Sequence, residues 1–171
     1  MSKIKVLAVK REIVIEIVKF ALLLGAAVAA PLAGQQAVTG TIVNAVLFIS
    51  VAYLGIRGAV LIALVPSIFS LATGLLPAVL APMIPFIMAA NIILILVFDF
   101  LRRKNFWLGI ISGAVLKFIF LAAVSSVVIN LLLKKEIAAT VAAMMSWPQL
   151  FTALAGGVIA YIFLNIFLRK K

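Results

Sequence analysis

Few residues in this chain could do covalent chemistry. Its acids are Glu12, Glu16, Asp99 and Glu136, four in all, and it has neither histidine nor cysteine. Lack of thiols removes disulfides, thiolate metal sites and thiol nucleophiles together. Lack of imidazole removes Ser-His couples, imidazole proton shuttles and the commonest metal ligand. The four carboxylates are scattered and form no cluster of metal-ligand type. Hydrolytic, redox and metal chemistry are therefore not expected; the chain is not expected to be an enzyme, and it implies no cofactor.

What remains is hydrogen bonding by uncharged side chains set into apolar sequence. Gln35 and Gln36 stand together, followed by Thr39, Thr41 and Asn44. Asn91 is isolated in a long apolar run. Ser125, Ser126 and Asn130 are grouped, as are Ser146, Trp147, Gln149 and Thr152. Such groups lining apolar walls would make a small-molecule pocket. The same residue types also bond helix to helix, at about 1 kcal/mol each. Lys117 poses the same choice. A lysine deep in an apolar run faces a bundle interior or a wet cavity. It would serve as counter-ion to an anionic ligand, or else snorkel or bond helix carbonyls. No acid is an obvious partner, since Asp99 is better placed to pair with Arg103 one turn on.

The elements that must position these groups follow from hydropathy. Of 171 residues, 67% are apolar and 11% charged, against roughly 45–50% and 25% in soluble domains. The polar residues are too few to clothe a soluble globule. A spanning helix needs about 20 mostly apolar residues. Six runs qualify: Ile13–Ala33, Thr39–Ile56, Gly58–Leu76, Pro82–Leu101, Phe106–Leu133 and Trp147–Leu168. The breaks carry turn residues or charge: Gly34-Gln35-Gln36, Gly55-Ile56-Arg57-Gly58, Pro77 to Pro82, Arg102-Arg103-Lys104-Asn105 and Lys134-Lys135-Glu136. Pro66, with Ser67 and Ser70 nearby, predicts a kink in the third run. Ser146 is a reasonable N-cap for the last run, with Pro148 in its first turn. Glu12, Glu16 and Lys19 and the length of the first run argue against a cleaved signal peptide. The expectation is an all-α, six-helix integral membrane bundle forming a single domain over residues 1–171.

Charge predicts its direction. Lys and Arg total 15, for a net charge of +11. They lie in short clusters between apolar runs rather than over one face, so a nucleic-acid partner is not expected. With both termini cytoplasmic, Lys3, Lys5, Lys10, Arg11, Arg57, Arg102, Arg103, Lys104, Arg169, Lys170 and Lys171 fall inside. Only Lys134 and Lys135 fall outside, as the positive-inside rule requires of a cell-membrane protein. Most of the uncharged polar side chains within the runs then gather in the outer leaflet. Trp147 and Trp107 would mark the two interfaces, or Trp147 would face a ligand. In the first run Ala21, Gly25 and Ala29 form a row spaced by four, with Ala26 and Ala30 beside it. Small residues so spaced let another helix approach, whether a partner's or one of the same bundle.

This layout resembles the S component, the substrate-capture subunit, of energy-coupling factor (ECF) vitamin transporters. Gln36-Ala37-Val38-Thr39-Gly40 with Asn44, the proline segment Leu75–Phe86 and Met145-Ser146-Trp147-Pro148-Gln149-Leu150 look like S-component sequences without an assigned substrate. The resemblance implies a membrane-embedded binder with no ATPase motif of its own. It implies docking through Ala21, Gly25, Ala26, Ala29 and Ala30 onto a transmembrane coupling subunit that works with two cytosolic ATPases. In that scheme the subunit topples in the bilayer to release a vitamin or precursor inside, with Gly34–Val38 as part of a lid. A metal-ion substrate is disfavoured, because such subunits use an N-terminal histidine. The expected substrate-binding residues are Gln35, Gln36, Thr39, Thr41, Asn44, Asn91, Lys117, Trp147, Gln149 and Thr152. The rival classes are a structural or assembly subunit, whose polar residues only knit helices, and an oligomeric small-solute channel.

Overall fold

A computed structural model describes the backbone of residues 3–132 and 135–168, and the side chains there apart from 3–10, 79, 129–132, 135–138, 140 and 168. Asn130, Glu136 and the terminal and 134–135 lysines and arginines of the charge argument lie outside the described side chains.

All the regular structure described is helical. In an apolar solvent every backbone N–H and C=O must be satisfied within its own segment, and a helix does that. The elements are α1 (Lys3–Ala29), α2 (Gln36–Ala72), α3 (Ile84–Arg102), α4 (Phe106–Leu132), α5 (Lys135–Met144) and α6 (Trp147–Leu168). Short 3-10 segments, Ala30–Ala33 and Ala78–Met83, follow α1 and precede α3. Five helical stretches are long and apolar enough to cross a membrane: Arg11–Ala33, Gln36–Ala72, Leu80–Arg102, Phe106–Val128 and Val141–Phe167.

The second of these joins the second and third runs expected from the sequence, with the expected break between them at Gly55. α2 has 37 residues, about 55 Å at helical rise, against a hydrocarbon core of about 30 Å. Two helical halves meet at Gly55, where the backbone is φ 70°, ψ −176°, a conformation essentially confined to glycine. Thr39 and Asn44 near one end line the same cavity as Pro66, Ser67 and Ser70 near the other. A straight helix would hold Thr39 and Ser67 about 40 Å apart. α2 therefore folds back on itself, and it does so at Gly55. The break in helical backbone is here rather than at Pro66, which sits inside the helix. The bend lies beside the α3–α4 turn, where Arg102 Nη2 donates to the Val51 carbonyl at 3.5 Å.

Other boundaries also moved. The returning half of α2 stops at Ala72, because Gly74 turns the chain with φ 73°. α3 starts at Ile84 rather than Pro82, with Pro85 in the first turn, where a missing N–H costs nothing. α5 was unforeseen: ten residues are too few to register as a span.

Packing relies on small residues, as it must where lipid offers helices no hydrophobic drive to associate. A Cβ on Gly156 of α6 would lie 2.7 Å from the Ala45 nitrogen and 2.8 Å from the Thr41 carbonyl oxygen, so the two backbones are nearly in contact. At the Arg102 end, Phe98 makes edge contacts with Phe48 (4.7 Å between centroids) and Phe106 (5.2 Å), each worth about 0.5–1.5 kcal/mol. A second apolar cluster of Leu80, Met83, Leu121, Val141 and Met145 packs toward the opposite end. α1 stands at the edge and reaches the core mainly through Ala27, Phe20, Leu23 and Leu24.

Candidate functional site

The reversal of α2 brings its two ends together around a cavity of about 280 Å³, close to the lower end of ligand pockets, roughly 300–1,000 Å³. It opens at the end of the bundle away from Gly55 and Arg102. Apolar walls come from Val43, Leu76, Leu80, Ile87 and Met145. Of the residues expected at a binding site, Gln35, Gln36, Thr39, Asn44, Asn91, Lys117 and Gln149 line it. They come from α2, α3, α4 and α6 and the turn before α2, so no single element holds the site.

The floor is built around Lys117, which is 3% exposed. Its Nζ donates to Asn44 Oδ1 and to Asn91 Oδ1, each at 2.7 Å. Asn44 is held in turn by its amide nitrogen, which donates to Thr152 Oγ1 at 3.4 Å. Thr152 donates to the Gln149 carbonyl at 3.3 Å. One lysine thus joins α4 to α2 and α3, and Asn44 carries the chain on to α6. The only ion pairs among the described residues are those of Asp99 at the far end, so no described carboxylate neutralises Lys117. Asp99 pairs chiefly with Arg102 (2.7 Å), and Arg103, the expected partner, stands at 3.8 Å.

The rim is tied by helix-end carbonyls, which lack partners within their own helix. The carbonyl of Met144, last in α5, accepts from Gln36 Nε2 at 2.9 Å and Gln149 Nε2 at 3.1 Å. The carbonyl of Ala30, just past α1, accepts from Thr39 Oγ1 at 3.1 Å.

Three expected site residues stand elsewhere. Trp147 is 60% exposed and lies on the outside of α6, stacked on Phe118 at 5.2 Å and near Phe151 one turn on. Gln149 is two residues away, and so points to the opposite side of the helix. Thr152 stands behind Asn44 and orients it without lining the cavity. Thr41 is half-buried and also off the lining; its carbonyl packs against Gly156. Ser146 does not cap α6 with its side chain: it donates back to the Ala143 carbonyl at 2.9 Å. Ser125 and Ser126 likewise donate to carbonyls of their own helix.

Ala21, Gly25, Ala26 and Ala29 lie exposed on α1, and a Cβ on Gly25 would meet nothing within 4 Å. Ala30 does not share that face. It is 4% exposed, because the chain tightens into the 3-10 segment there and turns it inward. Among the residues that line the cavity and were not expected are Ser67, Leu75, Pro77 and Met144. The Pro66-Ser67-Ser70 group was the available signal, since hydroxyls one turn apart beside a proline mark a polar face. Comparison with protein-family models, with curated proteins and with solved structures finds no match to this chain.

Proposed function

We propose that the chain is the substrate-capture subunit of an ECF-type importer, binding a small vitamin-like molecule in the cavity floored by Lys117, Asn44 and Asn91. The observation that carries this reading is the cavity itself: apolar walls, a few placed polar groups, and a floor deep in an otherwise apolar bundle. With the two halves of α2 read as separate crossings, the reading has six, and both termini would lie on one side. The basic residues Arg57, Arg102, Arg103 and Lys104 cluster at the end opposite the cavity mouth. The positive-inside rule then makes that end cytoplasmic and the mouth external. The exposed face of Ala21, Gly25, Ala26 and Ala29 would dock on a transmembrane coupling subunit served by two cytosolic ATPases.

A structural or assembly role is favoured by one observation. Among the described residues, every fully buried side-chain nitrogen or oxygen has a hydrogen-bond partner, as a helix-knitting network would require. The two readings separate on purification. A capture subunit releases a stoichiometric small molecule when the detergent-purified protein is heat-denatured and the supernatant is analysed by mass spectrometry. A helix-knitting subunit releases nothing.

A further inference from the structure

Lys117 and Asn91 are left with donors after their mutual bond. As an ammonium, Lys117 has three N–H groups, and two go to Asn44 and Asn91. Asn91 is 3% exposed as a residue and lines the cavity; its oxygen is taken by Lys117, and its amide nitrogen, which is not among the fully buried atoms, has no hydrogen-bond partner among the described residues. Because the amide nitrogen and oxygen share one carbon, this free donor lies next to Nζ. Both residues line the cavity, so its floor offers two neighbouring donors, one of them cationic. The site carries one positive charge in an apolar surround, where an uncompensated ion is costly.

On the capture reading, we infer that the bound molecule carries a single carboxylate, seated with one oxygen on Lys117 Nζ and the other on Asn91 Nδ2. A carboxylate accepts at two oxygens and cancels one charge. A phosphate dianion would leave a negative charge buried beside a single lysine, and an uncharged amide would leave the lysine charge unmatched. The wall residues Val43, Leu76, Leu80 and Ile87 leave an apolar body as the rest of the ligand.

The test uses the material that the full-length protein retains through purification. The released compound is passed over a strong anion exchanger, treated with phosphatase and fragmented in negative-ion mode. The inference predicts retention on the exchanger, resistance to phosphatase and loss of carbon dioxide on fragmentation. It also predicts a roughly ten- to hundred-fold fall in retained compound in Lys117→Gln, which keeps a donor for the asparagines but no charge. A released compound that is neutral or cationic, or that phosphatase destroys, overturns the carboxylate and leaves the capture reading standing. Equal retention by a folded Lys117→Gln variant does the same. If that variant does not fold, the properties of the wild-type compound decide the matter alone. Release of nothing from the wild type overturns both.

Discussion

Asn91 on α3 and Lys117 on α4 meet at 2.7 Å in the interior of the bundle, the asparagine oxygen accepting from the lysine ammonium. Each would be a poor choice alone in an apolar helix; together they satisfy one another and leave donors toward the cavity. The pair should behave as a unit. Asn91→Leu alone strips Lys117 of an acceptor and is expected to destabilise by about 1–3 kcal/mol. Adding Lys117→Met should recover part of that loss, giving a coupling of about 0.5–3 kcal/mol in a double-mutant cycle. Denaturant titration in detergent measures it, and additive effects would mean that the contact is not made.

The bend at Gly55 rests on a backbone conformation that other residues resist. Gly55→Ala should cost about 1–3 kcal/mol. Because it sets the two ends of α2 around the cavity, the same change should also lower ligand retention. Normal stability and retention would show that α2 turns elsewhere.

Two glycines predict opposite results from the same substitution. Gly156→Ala places a methyl against the backbone of Ala45 and Thr41 and should cost about 1–3 kcal/mol through overpacking. Gly25→Ala meets nothing within 4 Å and should leave the melting temperature unchanged or slightly raised, since alanine is the better helix former. Thermal unfolding of the two variants side by side checks the α2–α6 interface and the open face of α1 in one experiment.

Ala26 and Ala30 make a sharper pair for the docking face. Ala26 is exposed on α1, whereas Ala30 is buried. Ala26→Leu should fold normally and retain its small molecule but fail to assemble with a coupling subunit. Ala30→Leu should itself be destabilised by about 1–3 kcal/mol. Co-purification of the complex, with melting temperature as control, reads both. Undiminished assembly by the Ala26 variant would remove α1 from the docking face.

Depth was legible in the sequence, and direction around the helix was not. Asn44, Asn91 and Lys117 stand out because a polar residue in an apolar run needs a reason to be there. Their mutual contact could not be read, since it depends on how α2, α3 and α4 cross. Trp147 was placed by depth beside Gln149, yet the two point to opposite sides of one helix. Gly55 was legible as a break between two runs, but the φ 70° backbone that makes the break was not. α5 escaped because apolar length is the signal for a span, and ten residues do not carry it. Ala30 was grouped with Ala26 on helical spacing that ends one residue earlier, where α1 gives way to a 3-10 turn.

The most direct measurement is a native mass spectrum of the detergent-released protein, taken for the wild type, Ser67→Trp and Trp147→Leu. Ser67 lines the cavity, so a tryptophan there fills it, whereas Trp147 stands outside. The capture account predicts one small molecule per wild-type chain, none on a folded Ser67→Trp variant and one on Trp147→Leu. A bare wild-type chain, or an adduct that survives filling of the cavity, would contradict it.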